Sequence, residues 1–567
     1  MQTWPWAVLL VSATGVSACS DDDEPAVEPT SSAADGGGGA GGSGGSSPIE
    51  TAVDVSSYQF RFDVTTSRAS SRLSTLAAAP GGTCTTLDCS IGLDEMSWND
   101  APAAFEQDEV SVRACGVPVP EGAALDLDSR QGVPEALFHG LDVGWSHRTS
   151  LAGGTFSYLL SWVGGCHHFG PCDAHPGRLA AFDVEVTHPA DTVALCAGEL
   201  LPGATTTRCQ VSGTLAPTYS AFFLAADTSW VRTPYATLSG VDLVFYEAPG
   251  GTLAQSLDLQ KVSLFFEWIT SLLGPYPYGS ELRVAGAPTR WLGFEHPANI
   301  ILHERLDERL LDYADGLLHV FLHEVVHQWA GARTTLASAA DFVWKEAIAE
   351  YLTYVFEDEQ LFQGEASASL AYWDAAALYA DYHPRPTDEP VPEVWHFYGD
   401  AYGPGPMVLF VQLESMLGRG TVLQAIAAFL SEPVARSVSD LRLALEEESG
   451  AQLGPYFDAW VFGAGAPSWP LFAATLDQTG DQVTVTLTQQ SESDELYGCA
   501  VEVLVQGATS AELAVVDFGL APTSDTASAT ITLAETAVSE SIDPHHRVVN
   551  RSSSAAAVAP APRAWIF

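Results

Sequence analysis

Apolar and polar residues alternate along the first third of the chain. Tyr58-Gln59-Phe60-Arg61-Phe62-Asp63-Val64 and Ala181-Phe182-Asp183-Val184-Glu185-Val186 carry an apolar residue at every second position, and Gly, Pro and Asp break such runs at short intervals. A period of two sends successive side chains to opposite faces of a strand, which predicts an antiparallel β domain over residues 49–250. The period changes at Ser256. Leu257, Val262, Phe265, Phe266, Ile269 and Leu272 recur at helical spacing, and helical patterning dominates from Leu310 to Phe462. Alternation returns in Gln482-Val483-Thr484-Val485-Thr486-Leu487 and in Ala500-Val501-Glu502-Val503-Leu504-Val505. The pattern therefore predicts a multidomain α+β chain: the β domain at 49–250, a mainly helical domain at 251–467, a small β sandwich at 468–550 and a Ser/Ala/Pro-rich tail at 551–567.

The first residues follow another logic. Trp4 to Val16 is an apolar stretch too short to span a bilayer, with small residues behind it, which reads as a signal peptide over residues 1–18. Val16-Ser17-Ala18-Cys19 resembles the bacterial lipobox, and that resemblance implies lipidation of Cys19; an ordinary cleaved signal with an incidental Cys is the alternative. Residues 19–48 then run from Asp21-Asp22-Asp23-Glu24 into a segment that is almost wholly Gly and Ser. Such a tether has an r.m.s. reach of roughly 30 Å, enough to hold a folded body off a membrane. The expected location is the cell envelope, as an exported lipoprotein of the outer membrane of a Gram-negative bacterium.

Charge narrows the partners. The chain has 23 Lys and Arg against 71 Asp and Glu, a formal net charge of −48. Nucleic-acid binding needs a basic face from which counterions are released, so no nucleic-acid partner is expected, and membrane contact is expected only through the lipid anchor. Hydrophobic residues make up 47%, enough to build cores and exclude wholesale disorder. Eight cysteines follow Cys19, seven of them between Cys84 and Cys209. In an oxidising compartment these predict disulfides of open connectivity. Cys166-His167-His168 with Cys172-Asp173-Ala174-His175 also has the makings of a metal knuckle, the less favoured reading outside the cell.

The chemistry concentrates in His323-Glu324-Val325-Val326-His327, an H-E-x-x-H sequence. On a helix its two His project from one face toward a single Zn²⁺, with Glu324 beside the open coordination position. Composition alone yields this pattern only ~0.03 times in a chain of this size. Leu317, Leu318, Phe321, Leu322, Val325, Val326 and Trp329 recur at helical spacing and leave the His face distinct. Two residues compete to be the third ligand. His319 lies one turn before His323, but three His strung along one helix are nearly collinear and make a poor tetrahedral set. Glu346, in Trp344-Lys345-Glu346-Ala347-Ile348-Ala349-Glu350-Tyr351, follows His327 after eighteen intervening residues and can converge from a second helix. His319 then reads as a packed or ligand-supporting His, and Glu350 as either a ligand-orienting or an exposed helix carboxylate.

H-E-x-x-H, eighteen residues and a Glu in a W-x-E-x-x-A-x-Y stretch resemble the gluzincin zinc aminopeptidases of the aminopeptidase N and leukotriene A hydrolase type. His327-Gln328-Trp329-Ala330-Gly331 resembles their H-Q-W-x-G continuation, Leu292-Gly293-Phe294-Glu295-His296 a degenerate G-x-M-E-N strand, and Tyr402-Gly403-Pro404-Gly405 their Y-x-K-G. The weaker likenesses of Pro171 to Pro176 and of Ser541-Ile542-Asp543-Pro544 extend the match over about residues 50 to 550. The resemblance implies a thermolysin-like catalytic domain at 251–467 and a short form of the family without its C-terminal helical domain. It further implies one Zn²⁺ per chain on His323, His327 and Glu346, Glu324 as the general base, Tyr402 as hydrogen-bond donor to the oxyanion, and Glu295 as acceptor of the substrate's free α-ammonium. The expected activity is hydrolysis of N-terminal residues from peptides by a monomeric zinc aminopeptidase. The alternative is a catalytically weak relative that holds peptides on the envelope.

Overall fold

The structure, a computed structural model, describes residues 50–551 apart from 78–81, 136–143, 310–315, 362–369, 373, 375, 379, 395–404 and 494. The signal, Cys19, the tether, Tyr402 and the tail beyond Arg551 lie outside the described residues.

The alternating runs form strands whose burial alternates with them. Val53–Asp63 buries Val55, Tyr58, Phe60 and Phe62, and the shift in parity after Val55 coincides with a register irregularity between Val55 and Ser57. This strand lies inside an eight-stranded sheet, between Leu179–Thr187 and Arg68–Ala77. A four-stranded sheet, ordered Val193–Cys196, Phe223–Asp227, Thr155–Leu160 and Gly144–Thr149, accompanies it. Phe222, which leads into this second sheet, packs its ring edge-on against Tyr58, Phe60 and Phe182 of the first. One pairing departs from the antiparallel expectation: Val53–Asp63 runs parallel to Leu179–Thr187, which the long intervening chain permits.

Disulfides join Cys84 to Cys115, Cys166 to Cys172 and Cys196 to Cys209, while Cys89 and Cys499 are buried and free. The Cys166–Cys172 bond consumes both thiols of the possible metal knuckle.

The sheet of the next region begins before position 250. Val231–Leu238 and Val241–Glu247 pair into a five-stranded mixed sheet with Glu281–Ala287, Asn299–His303 and Gly293–His296, so strand pairing crosses the boundary expected from periodicity. Backbone pairing overrides the local period here, because both strands look alike whichever sheet receives them. The edge strand Gly293–His296 runs antiparallel to Asn299–His303, with Glu295 opposite Ile300.

Helices cover the rest. Leu259–Leu273 starts on Asp258, whose carboxylate accepts from the backbone N–H groups of Gln260 and Lys261, and it buries Val262, Phe265, Phe266, Ile269 and Leu273. Gly316–Val326 packs against Phe342–Phe356, and Met407–Leu417 lies on the latter. All 15 residues of Phe342–Phe356 are buried, Lys345, Glu346 and Glu350 among them. Three charges on a helix without a wet face each require a partner inside the protein. No helix among the described residues is long and apolar enough to cross a membrane.

Past Phe462 the chain forms two three-stranded antiparallel sheets, Leu471–Thr479, Gln482–Gln490 and Thr526–Thr532 in one, Ala511–Asp517, Ala500–Gln506 and Ser539–Ile542 in the other. Val483, Val485, Leu487, Val501, Val503 and Val505 are buried, as their alternation requires.

Candidate metal centre

The helix Gly316–Val326 buries Leu317, Leu318, Phe321, Leu322, Val325 and Val326 in the core. It ends one residue before the second His of the motif. His327 opens a tight turn in which the N–H groups of Gln328 and Trp329 donate to the carbonyls of Val325 and Val326. Gly331 then reverses the chain at φ +117°, a left-handed conformation that favours glycine. The same glycine leaves room for Lys345: a Cβ at this position would stand 2.8 Å from the lysine Cε.

Three ligand atoms converge where the two helices meet. Nε2 of His323 and Nε2 of His327 are 3.1 Å apart, and each is 3.3 Å from Oε2 of Glu346. Ligand atoms 2.0–2.2 Å from a tetrahedral ion lie roughly 3.3–3.5 Å apart, so the triangle has the size of three corners around zinc. Tautomers agree with this. Nδ1 of His323 faces Oε2 of Glu350 at 3.0 Å, and Nδ1 of His327 faces the carbonyl of Ala330 at 2.9 Å. Both partners are acceptors, so each Nδ1 carries the proton and each Nε2 presents its lone pair to the shared point. Two imidazoles and one carboxylate, with one corner left open, form a donor set suited to catalytic zinc.

A second layer of charges lies behind the ligands. His319 is not a ligand: its Nδ1 is 2.9 Å from Oε1 of Glu357 and its Nε2 3.1 Å from Oε1 of Glu350. Burial alone would favour the neutral ring, but the flanking carboxylates outweigh it and hold His319 well above its usual range as an imidazolium. Glu350, fully buried, thus links His319 to the zinc-ligand candidate His323. Burial opposes its charge, and the two His rings overcome that cost and hold it well below the usual carboxylate range.

The open corner is lined by acids. Glu324 is buried, and its Oε2 has no hydrogen-bond partner among the described residues. Burial, reinforced by Glu295 and Glu346 against the pull of His323, pushes its carboxyl up to about 8. Glu295, Glu324 and His327 each offer a ligand atom within 4.8 Å of the others, which brings the edge strand of the sheet to the metal position. Glu295 itself is paired with Lys345, whose Nζ is 2.9 Å from Oε1 of Glu295 and 2.5 Å from Oε1 of Glu346.

Loops of the N-terminal sheets close the far side. Trp162 packs on Phe294 and Phe342, the Tyr219 hydroxyl donates to the Gly331 carbonyl at 2.7 Å, and His296 stacks on Phe223 with ring centroids 3.9 Å apart. The structure therefore gathers His323, His327, Glu346, Glu324 and Glu295 at one place, with Glu350 against Nδ1 of His323. Sequence reasoning did not assign Trp162, Tyr219 or Lys345 to the site. For the first two no local signal exists, since they come from another sheet region. Lys345 had one: it is one of two lysines in the chain and adjoins a ligand.

No family model matches the chain. A curated relative, the Tricorn protease-interacting factor F2 of Thermoplasma volcanium, is 23% identical over 333 residues, 56% of this chain and 42% of the relative. Among solved structures, Legionella pneumophila aminopeptidase A in complex with aspartic acid superposes with a TM-score of 0.70 at 15% identity, over 88% of this chain and 59% of that one. A mutant M1 zinc metallopeptidase of Deinococcus radiodurans bound to a Tyr-Ser-Ala substrate superposes with a TM-score of 0.60 at 22% identity, over 73% of this chain and 95% of that one. The chain spans less than half the length of the curated relative. The fold is that of these M1 zinc metallopeptidase structures.

Proposed function

We propose that this chain is a zinc-dependent aminopeptidase that hydrolyses N-terminal residues from peptides. The observation that carries this reading is the convergence of His323, His327 and Glu346 within 3.1–3.3 Å beside a buried Glu324 oxygen without a partner among the described residues. The fold shared with structures that hold an amino acid and a tripeptide supports peptide as the substrate class.

The roles follow from placement. Zinc, when bound by these three residues, lowers the pKa of a coordinated water and polarises the substrate carbonyl. Glu324 accepts the water's proton on its Oε2 and returns it to the leaving amine. Glu350 fixes the His323 ring through Nδ1, and Ala330 does the same for His327. Glu295 faces the amino end of the substrate. Tyr402, outside the described residues, remains our choice of oxyanion donor on the strength of the Y-x-K-G resemblance. Three disulfides support folding in an oxidising compartment, in keeping with the export proposed from residues 1–19.

The test is zinc content together with turnover of aminoacyl anilides. Purified protein should hold about one zinc per chain, and Glu324→Gln should lower kcat on the order of 10³-fold or more while the metal stays bound. Zinc-loaded protein that binds peptides but turns over none with a free N-terminus would instead support a peptide-holding role.

A further inference from the structure

Glu295 is the carboxylate that an incoming α-ammonium would be expected to meet, and an ammonium from the protein already sits on it. Lys345 Nζ bridges Oε1 of Glu295 at 2.9 Å and Oε1 of Glu346 at 2.5 Å. The lysine cannot swing out to water. It is 1% exposed, its stem fills the gap left by the missing Cβ of Gly331, and its charge lies 5.9 Å from the ring centre of Trp162 and 5.8 Å from that of Phe342.

Pairing gives the consequence. One ammonium neutralises one carboxylate, and Lys345 already supplies it to Glu295 at 2.9 Å. A cationic amino end arriving at Glu295 therefore meets a second positive charge at the same oxygen. In a buried site that like-charge contact weakens selection for the cation.

We propose that Lys345 is a specificity-determining residue: as resident counter-ion of Glu295 it removes most of the site's preference for a free α-ammonium, so substrates with a neutral group of the same size at that position are accepted about as well. The proposal rests on the zinc-peptidase reading above for the identity of the site.

An isosteric pair of probes tests it, a leucyl anilide and the same anilide with a hydroxyl in place of the α-amino group. The measurement is made at about pH 6.5, where the amine is protonated. Two readouts are taken on full-length zinc-loaded protein: the ratio of kcat/KM for the pair, and the ratio of affinities for leucinamide and its hydroxy analogue in the Glu324→Gln variant, measured by calorimetry and independent of turnover. Wild-type ratios should stay within about tenfold, whereas a carboxylate free to pair with the ammonium would give on the order of 100-fold or more. Lys345→Met should raise both ratios at least about tenfold, and Lys345→Arg, which keeps the cation, should not. A wild-type ratio above about 100-fold overturns the proposal whatever the variants do. So does an unchanged ratio in zinc-loaded Lys345→Met or, where that variant loses metal, in Lys345→Gln. Failure to turn over either anilide, with the binding ratio low in Glu324→Gln and raised by Lys345→Met in that background, refutes the peptidase reading and leaves the counter-ion role standing.

Discussion

His323 is held from behind by a chain of four alternating groups, in which Glu357, His319, Glu350 and His323 lie successively within about one hydrogen-bond length of each other. Glu350 accepts from imidazoles on two sides and carries one negative charge for both, so its removal leaves His319 with a single carboxylate and His323 free to rotate. Glu350→Gln should therefore weaken zinc binding about 10–100-fold, measured by competition with a chromophoric chelator, while the protein stays folded. If affinity is unchanged, the relay is only packing. The distances put Glu350 between His319 and His323 rather than on the surface, and His319 between Glu350 and Glu357. Sequence alone could place His319 on the ligand face, but could not show that Glu357, 38 positions further along, lies against its Nδ1.

At the scale of elements, the site is made by two helices, one strand and one turn. Gly316–Val326 and Phe342–Phe356 approach as two wholly buried helices. In the second, Glu346 and Glu350 were legible through the motif spacing, whereas Lys345 was not. The turn at Gly331 matters as much as either helix, since it redirects the chain after His327 and makes room for Lys345. Gly331→Ala strains a φ of +117° and puts a methyl group 2.8 Å from the lysine Cε. Its expected effect is a loss of about 1–3 kcal/mol of stability, read from chemical denaturation, together with displacement of Lys345 from Glu295. A variant as stable as wild type would mean that the turn relaxes and the lysine is not confined there.

On the scale of the whole molecule, 71 acidic residues against 23 basic ones give the chain a negative long-range field. This field acts on encounter, whereas Lys345 acts on the bound amino end, and salt separates the two. For peptides carrying several Lys or Arg, kcat/KM should fall as salt rises from about 0.01 to 0.15 M, because the screening length shortens from about 30 to about 8 Å. Neutral peptides should show little change, and equal salt dependence for both would remove the steering argument. The order of regions along the chain, β, then helical, then β, was readable from the change of period. The sheet membership of Val231–Leu238 and Val241–Glu247 was not, since a strand carries no mark of its partner.

By itself the sequence determined the motif chemistry: H-E-x-x-H can present two imidazoles from one helical stretch to one ion, and the eighteen-residue gap to Glu346 pointed to a ligand from a second helix. The sequence likewise determined the alternation that builds both β regions and the acidic balance behind the expectation of no nucleic-acid partner. Only the tertiary structure decided which cysteines pair, that His319 and Glu350 stand behind the ligands instead of beside them, and that Lys345 occupies Glu295. The physical reason is distance in the chain. Periodicity and spacing report neighbours within a few turns of one element, whereas Glu295 and Lys345 are brought to 2.9 Å from a strand and a helix fifty residues apart, by packing that no local pattern encodes.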